Sequence, residues 1–238
     1  MAYIEGNPEE KIAKTFPKHL SFIAITTFAL FGFLLVSSQN LTKDLYGIAI
    51  ITLVALSLMI FVSFRINPLA WKKVVNKNKF QWLLSNENKT IETLSQLNDD
   101  YFILNDFTFE LFHVEHLVIS KHGIFVIAKS PAEGKIEIIE DSLYISDYSL
   151  ESVTARLWRL CHLIKIIIGK GFDGYECMPK PILLLAHEEK SNIKDFNEIS
   201  ICGLSELNKR ITTELTFPVK SEIAEGFAIF MKQRYMRG

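Results

Sequence analysis

Two stretches of the chain contain no charged residue, Leu20–Ser38 and Tyr46–Phe64. Each is close to the ~20 residues that an α-helix needs to cross the hydrocarbon core of a bilayer. Neither stretch has the polar face that a surface helix of a soluble bundle carries. Because backbone groups in hydrocarbon must bond within their own segment, each stretch is predicted to be a helix. The segment between them, Gln39–Leu45, is polar and short, so the sequence predicts a transmembrane helical hairpin.

Basic residues flank both outer ends of this hairpin. Three lysines lie within residues 11–18. Before the next acidic residue, Glu87, the second stretch is followed by Arg65, Lys72, Lys73, Lys77 and Lys79. Basic residues close to the ends of a span are retained in the cytoplasm, so the sequence predicts a multi-pass protein with both termini cytoplasmic. Lysines at this position are also expected to contact anionic membrane lipid.

The hairpin divides the chain into four predicted segments. Residues 1–19 form a cytoplasmic N-terminal segment, 20–64 the transmembrane hairpin, 65–85 a basic juxtamembrane connector, and 86–238 a single α/β domain of typical size. The formal net charge of −1 gives no support for nucleic-acid binding by the whole protein. The three cysteines, Cys161, Cys177 and Cys202, lack metal-ligand spacing and are predicted to be reduced structural thiols.

Apolar patterning predicts the elements of the C-terminal domain. Continuous apolar strands followed by helices favour a buried α/β sheet covered by helices. The central strand is predicted at Ile124–Ala128, where no position offers a polar face. The other predicted strands are Tyr101–Leu104, Phe107–Phe112, Val114–Ser120, Lys135–Ile139, Leu143–Ile145, Lys180–Ala186 and Ile199–Cys202. The predicted helices are Glu87–Leu97, Leu150–Ile168, Leu204–Ile211 and Glu222–Arg234.

Four consecutive segments carry a resemblance to a known family: Leu97–Asp106, Glu115–Ser120, Lys121–Ile127 and Gly134–Ile136. They look like the family's helix end with its first strand, its Asp-His pair with an apolar strand, its glycine turn with the next strand, and its closing hairpin. On these segments the chain resembles the nuclease-related domain family, a relative of the restriction-endonuclease-like nucleases. The resemblance implies a restriction-endonuclease-like mixed sheet flanked by helices, and a bacterial-type inner-membrane location.

The resemblance also implies where a metal site would lie. In the family, an acid on one strand and a Glu-x-Lys triplet on the next converge on a divalent ion, and a helix contributes a glutamate. Here the strand acid is Glu115, the triplet positions hold Ala128 and Ser130, and Glu87 matches the helix glutamate. Strand alternation predicts that Lys129 points to the opposite face, away from any site. The resemblance therefore implies a degenerate site with Glu87 and Glu115 as vestigial metal candidates.

Two other motifs in this region are predicted to carry no chemistry. Glu133-Gly134-Lys135 spells Glu-x-Lys but lies in a hairpin turn, where a solvated pair is expected. His113 and Glu115 share one face of a strand while His116 faces away, so these three side chains are not expected to close on one metal ion.

The predicted function is a membrane-anchored, catalytically inactive nuclease-like domain that acts as a binding or assembly component of a membrane machine for DNA transfer or secretion. Protein partners are expected, and DNA binding and oligomerisation stay open. No cofactor is expected. The first alternative is an active, membrane-tethered nuclease that uses magnesium. The second is a purely structural membrane subunit whose helices pack through small residues such as Gly32 and Gly47.

Overall fold

The two uncharged stretches lie in two long helices, α1 (Pro8–Ser37) and α2 (Leu41–Ile66). The structure is a computed structural model, and it describes residues 2–6, 8–37, 41–66, 77–110, 112–187, 191–214 and 218–236. Lys72 and Lys73 of the predicted connector, and Gln39 and Asn40 of the predicted turn, lie outside these residues.

Helices α1 and α2 contact each other and leave most of their apolar surface exposed. Their segments Leu20–Ser37 and Leu45–Ser63 are long and apolar enough to cross a membrane, and only 6% of each is buried. Phe28 and Val36 are 78% and 88% exposed. A soluble protein buries most side chains of this kind, whereas a lipid-facing helix leaves them on its surface.

The chain divides into two units, Pro8–Leu84 and the combination of Met1–Asn7 with Ser85–Gly238. The boundary between Leu84 and Ser85 falls inside helix α3 (Lys77–Ser95). This helix begins at Lys77, before the predicted start at Glu87, so residues 77–85 of the predicted connector are helical.

The second unit contains a mixed sheet of seven strands. Its spatial order is β1-β2-β3-β4-β8-β10-β9, and a separate antiparallel sheet has the order β5-β6-β7. The strands are β1 (Tyr3–Glu5), β2 (Tyr101–Phe109), β3 (Phe112–Ser120), β4 (Gly123–Lys129), β5 (Ile136–Ile139), β6 (Ser142–Ile145), β7 (Tyr148–Ser149), β8 (Lys180–Leu185), β9 (Asp195–Phe196) and β10 (Ile199–Gly203).

Strand β4 lies in the middle of the seven-stranded sheet, between antiparallel β3 and parallel β8. All its residues from Ile124 to Ala128 are buried, which confirms the predicted central strand. The sheet separates two apolar cores. One contains residues of helices α4 (Glu151–Gly171) and α5 (Ser221–Tyr235). The other contains Leu94 of α3. Successive residues of β4 alternate between these two cores.

Further local predictions differ from the structure. The predicted strands Tyr101–Leu104 and Phe107–Phe112 are joined in the single strand β2, which continues through Asp106 at a φ of 49° and ends at Phe109, whereas Phe112 begins β3. The predicted helix Leu204–Ile211 consists instead of three short helical segments, Leu204–Glu206, Leu207–Lys209 and Arg210–Glu214.

Strand β1 was not predicted from the sequence. It pairs in parallel with β2, from Tyr3 opposite Phe102 to Glu5 opposite Leu104. The backbone N–H of Ala2 also donates to the carbonyl of Leu97 at 3.0 Å. Residues that precede α1 in the chain therefore belong to the same sheet as residues that follow α2.

Candidate functional site

The polar residues of the candidate site lie where strands β3 and β4 extend beyond their shared ladder. The last paired residues of this ladder are His116 and Ile127. On β4, Ile127 belongs to the core that contains α3, so Lys129, two residues later, lies on the same face. On β3, Val118 belongs to that core too, and His116 shares its face for the same reason.

Glu87 of helix α3 meets both of these residues. Its Oε2 forms an ion pair with Nζ of Lys129, and its Oε1 lies 3.4 Å from Nε2 of His116. The side chains of Glu87 and Lys129 are each 12% exposed, and that of His116 is fully buried. We call these three residues the Glu87 cluster. The cluster consists of one acid and two bases, and it is almost completely shielded from solvent beneath helix α3.

Asn105 of strand β2 fixes the tautomer of His116. The Nδ2 atom of Asn105 donates to the carbonyl of Gly6 at 3.4 Å, which leaves Oδ1 to face Nδ1 of His116 at 2.8 Å. This orientation assigns a proton to Nδ1, which donates to Asn105. Burial, with a smaller effect of His113, lowers the pKa of His116 to about 3, so the ring is neutral near pH 7. Its Nε2 then presents a lone pair to Glu87.

Two acceptors therefore face each other inside the Glu87 cluster. Neither Oε1 of Glu87 nor Nε2 of His116 has a hydrogen-bond partner among the described residues. Lys129 supplies the positive charge of the cluster, and its contact with Glu87 offsets the negative charge of the carboxylate. Burial lowers the pKa of Lys129 to about 7, while the adjacent carboxylate favours the ammonium form.

The prediction that Lys129 points away from any site is wrong. Lys129 does face away from Ala128 and Ser130, as alternation requires, but its face is the one covered by Glu87. A Glu-x-Lys triplet on that face would occupy Ile127 and Lys129, and Ile127 is apolar and buried. Because Lys129 follows Ile127 by two residues, the sequence alone predicts that both side chains lie on the same face of the sheet. Only the position of α3 shows what lies on that face.

Glu115 lies on the other face of the sheet. Glu115 and Leu117 are two residues apart on β3, so their side chains lie on the same face. Leu117 belongs to the core formed with α4 and α5. The Oε1 atom of Glu115 accepts a hydrogen bond from Nη2 of Arg156 on α4 at 2.7 Å. Its Oε2 accepts one from the backbone N–H of Lys129 at 2.7 Å. Glu87 and Glu115, the two metal candidates, therefore engage different basic partners on opposite faces and do not converge.

Ala128 and Ser130 occupy positions with structural contacts. Ala128 is buried in the core formed with α4 and α5. The hydroxyl of Ser130 donates to the carbonyl of Ala132 at 2.7 Å, and its backbone N–H donates to the carbonyl of Leu184 at 2.9 Å. These contacts close the turn that follows β4 and engage the Ser130 hydroxyl within it, while the side chain of Ala128 has no polar group.

The remaining candidate motifs do not form a site in the described part of the chain. Glu133 and Lys135 are exposed, and Lys135 pairs with Glu137 at 2.9 Å. His113 is exposed and His116 is buried. The predicted strict alternation does not hold along this segment, because Val114 and Leu117, an odd number of residues apart, belong to the same core. Across the described residues, no group of three or more His, Cys, Asp or Glu side chains lies close enough to hold a metal ion.

The three cysteines are buried, and none of them forms a disulfide within the described residues, in agreement with the sequence prediction of reduced thiols. Burial raises the pKa of Cys161 to about 12 and that of Cys177 to about 11. Thiols with these pKa values are protonated at neutral pH and are poor nucleophiles. Cys161 and Cys177 are therefore packing residues of the core.

Comparison with protein-family models, with curated proteins and with solved structures gives no match to this chain. The resemblance to the nuclease-related domain family therefore stays a prediction.

Proposed function

We propose that this protein is a membrane-anchored, nuclease-like domain without cleavage activity, which acts as a binding or assembly component of a membrane complex. The observation that carries the proposal is that both candidate acids are neutralised inside the protein. Glu87 pairs with Lys129, and Glu115 pairs with Arg156. Metal-dependent phosphodiester cleavage needs carboxylate oxygens that converge on an ion and on a water molecule. Two carboxylates on opposite faces of a sheet do not supply them.

Strand β1 supports the membrane part of the proposal. Residues 3–5 and residues 102–104 pair in one sheet, although α1 and α2 separate them in the chain. If α1 and α2 cross a membrane, this pairing requires both outer ends of the hairpin to lie on the same side. The basic residues at those ends favour the cytoplasmic side, and the resemblance favours a bacterial inner membrane. Anionic lipid is then the first partner of the basic flanks.

We expect reporters to place the two ends and the turn on opposite sides of the membrane. A reporter that is active only in the cytoplasm should be active when it is fused after Gly238. A reporter that is active only outside the cytoplasm should be active when it is inserted within residues 39–45. The measurement is reporter activity normalised to protein level in intact cells. An inactive cytoplasmic reporter at the C-terminus, with the fusion protein inserted and intact, would contradict the proposed topology.

We also expect the purified protein to leave DNA and RNA uncleaved with magnesium or manganese. The full chain in detergent micelles is the material for this assay, because a fragment that begins at residue 66 lacks β1. The Glu87→Gln and Glu115→Gln variants, prepared in parallel, are matched controls and should show the same background. Wild-type cleavage that disappears in either variant would instead establish the active, magnesium-dependent nuclease.

A structural membrane subunit is the second candidate, and the glycines of the apolar helices favour it. An added Cβ at Gly32 or Gly47 would meet no atom within 4 Å. These positions therefore leave room for another helix to approach closely. DNA affinity separates the candidates: a nuclease-like binding domain that handles DNA retains measurable affinity for it, and a purely structural subunit has none.

A further inference from the structure

Helix α4 carries a group of exposed basic side chains. No Asp or Glu lies between Glu151 and Asp173 in the sequence. Within that interval Arg159, Lys165 and Lys170 are exposed, and none of them forms an ion pair with a residue that the structure describes. Because the whole chain has a formal net charge of −1, the surface of α4 is locally positive on a nearly neutral protein.

An apolar side chain lies among these cations. Intervals of three or four residues place side chains in one stripe along a helix. On the exposed side of α4 this stripe consists of Arg159, His162, Ile166 and Lys170. Ile166 is 51% exposed, and the ring of the half-buried Trp158 lies 5.9 Å from that of His162. The stripe therefore combines cations with an exposed isoleucine and has a tryptophan beside it.

Helix α5 adds further apolar surface next to α4. Phe172, which follows α4, packs against α5, because a Cβ added at Gly226 would lie 3.0 Å from its ring. Ile229 and Phe230 follow Gly226 by three and four residues, so they lie on the same side of α5. They are 54% and 36% exposed. Single exposed apolar residues are ordinary, but a group of them on two adjoining helices beside unpaired cations is typical of a binding surface.

We propose that this surface, the α4–α5 face, docks on an anionic lipid bilayer. It comprises Arg159, His162, Lys165, Ile166, Lys170, Ile229 and Phe230. Basic side chains are attracted to anionic headgroups, while isoleucine and phenylalanine enter the boundary between headgroups and acyl chains. Duplex DNA would also attract the cations, but its sugar-phosphate backbone offers no apolar partner to Ile166. The mixture of charge and apolar surface therefore favours lipid.

The inference rests on the proposed membrane anchoring through α1 and α2. Only residues 67–76 separate α2 from α3 in the sequence, so an anchored chain keeps its C-terminal unit close to a bilayer. A tether of this length raises the effective concentration of lipid at the α4–α5 face. Weak docking is then sufficient to hold the face on the membrane.

Quenching of a fluorescent label at position 166 tests the docking. The full chain with Ile166→Cys is labelled and placed in nanodiscs that contain quencher-bearing lipid; the native cysteines are buried and protected. The label should be quenched with about one third phosphatidylglycerol and remain bright in phosphatidylcholine alone. The matched control is Thr213→Cys, because Thr213 is exposed and its neighbour Ile211 belongs to the core on the opposite face of the sheet. Its label should stay bright in both lipids.

Charge variants of the labelled chain identify the side chains that dock. Arg159→Gln with Lys170→Gln should lower the ratio of docked to free face about thirty-fold, or about five-fold per basic residue. Lys121→Gln with Lys194→Gln is the matched control, because it removes two exposed lysines that lie outside the face. It should leave the quenching unchanged.

Three results would overturn the proposal. A label at position 166 that stays bright with phosphatidylglycerol, in a chain that has entered the nanodisc, contradicts the docking alone. A chain that does not enter nanodiscs contradicts the membrane anchor as well. Binding of a DNA duplex that is lost in Arg159→Gln with Lys170→Gln, together with an unquenched label, would assign the face to nucleic acid instead.

Discussion

Replacing Val126 by aspartate is expected to unfold the unit that contains the seven-stranded sheet. Val126 is 1% exposed and lies in β4, opposite Leu117 on one side and Pro181 on the other. Its side chain packs in the core formed with α4 and α5. A buried carboxylate without a partner destabilises a fold by several kcal/mol, and total stabilities are only about 5–15 kcal/mol. The variant should therefore lose cooperative unfolding.

Urea unfolding of the full chain in detergent micelles, followed by near-ultraviolet circular dichroism, measures this effect. Ile138→Asp is the matched control, because Ile138 also lies on a strand but is 48% exposed. Its free energy of unfolding should stay within about 0.5 kcal/mol of the wild type, as for most surface substitutions. A Val126→Asp protein that unfolds cooperatively at the wild-type urea concentration would show that β4 is not the buried central strand.

Replacing Lys129 by methionine is expected to lower the free energy of unfolding by about 3–5 kcal/mol, the usual effect of breaking a buried ion pair. Methionine keeps the length of the apolar stem but removes the ammonium group that contacts Glu87. The carboxylate of Glu87 is then left facing the lone pair of His116 without a cation. A lysine with no buried partner would tolerate the change with little loss.

Two further variants make this result interpretable. Lys121→Met removes a lysine that is 46% exposed and pairs with Asp100 at 2.9 Å, so it should lower the free energy of unfolding by only about 0–1 kcal/mol. The double variant Lys129→Met with Glu87→Leu removes both charges of the buried pair. It should recover much of the stability lost in Lys129→Met, because both partners are then apolar. A loss of less than about 1 kcal/mol in Lys129→Met would show that the pair does not hold α3 on the sheet.

The elements that depend on local composition could be predicted without the structure. The apolar helices were predictable because a charge-free stretch of bilayer length has few other stable conformations. The central strand was predictable because Ile124–Ile127 has no polar side to expose. Alternation also gave the correct relative faces of Ala128 and Lys129. Each of these properties depends on neighbours within a few residues.

Contacts between segments that lie far apart in the chain could not be predicted in this way. Strand β1 pairs with residues about a hundred positions away, and its three residues carry too little pattern to indicate a strand. The partner of Lys129 could not be predicted either. Strand alternation predicts the face on which a side chain lies, but not which element covers that face. Helix α3 brings Glu87 to Lys129 and His116, while α4 brings Arg156 to Glu115 on the other side. Helix packing on the sheet therefore decided that the two acids, which the sequence predicted as one site, lie in two separate ion pairs.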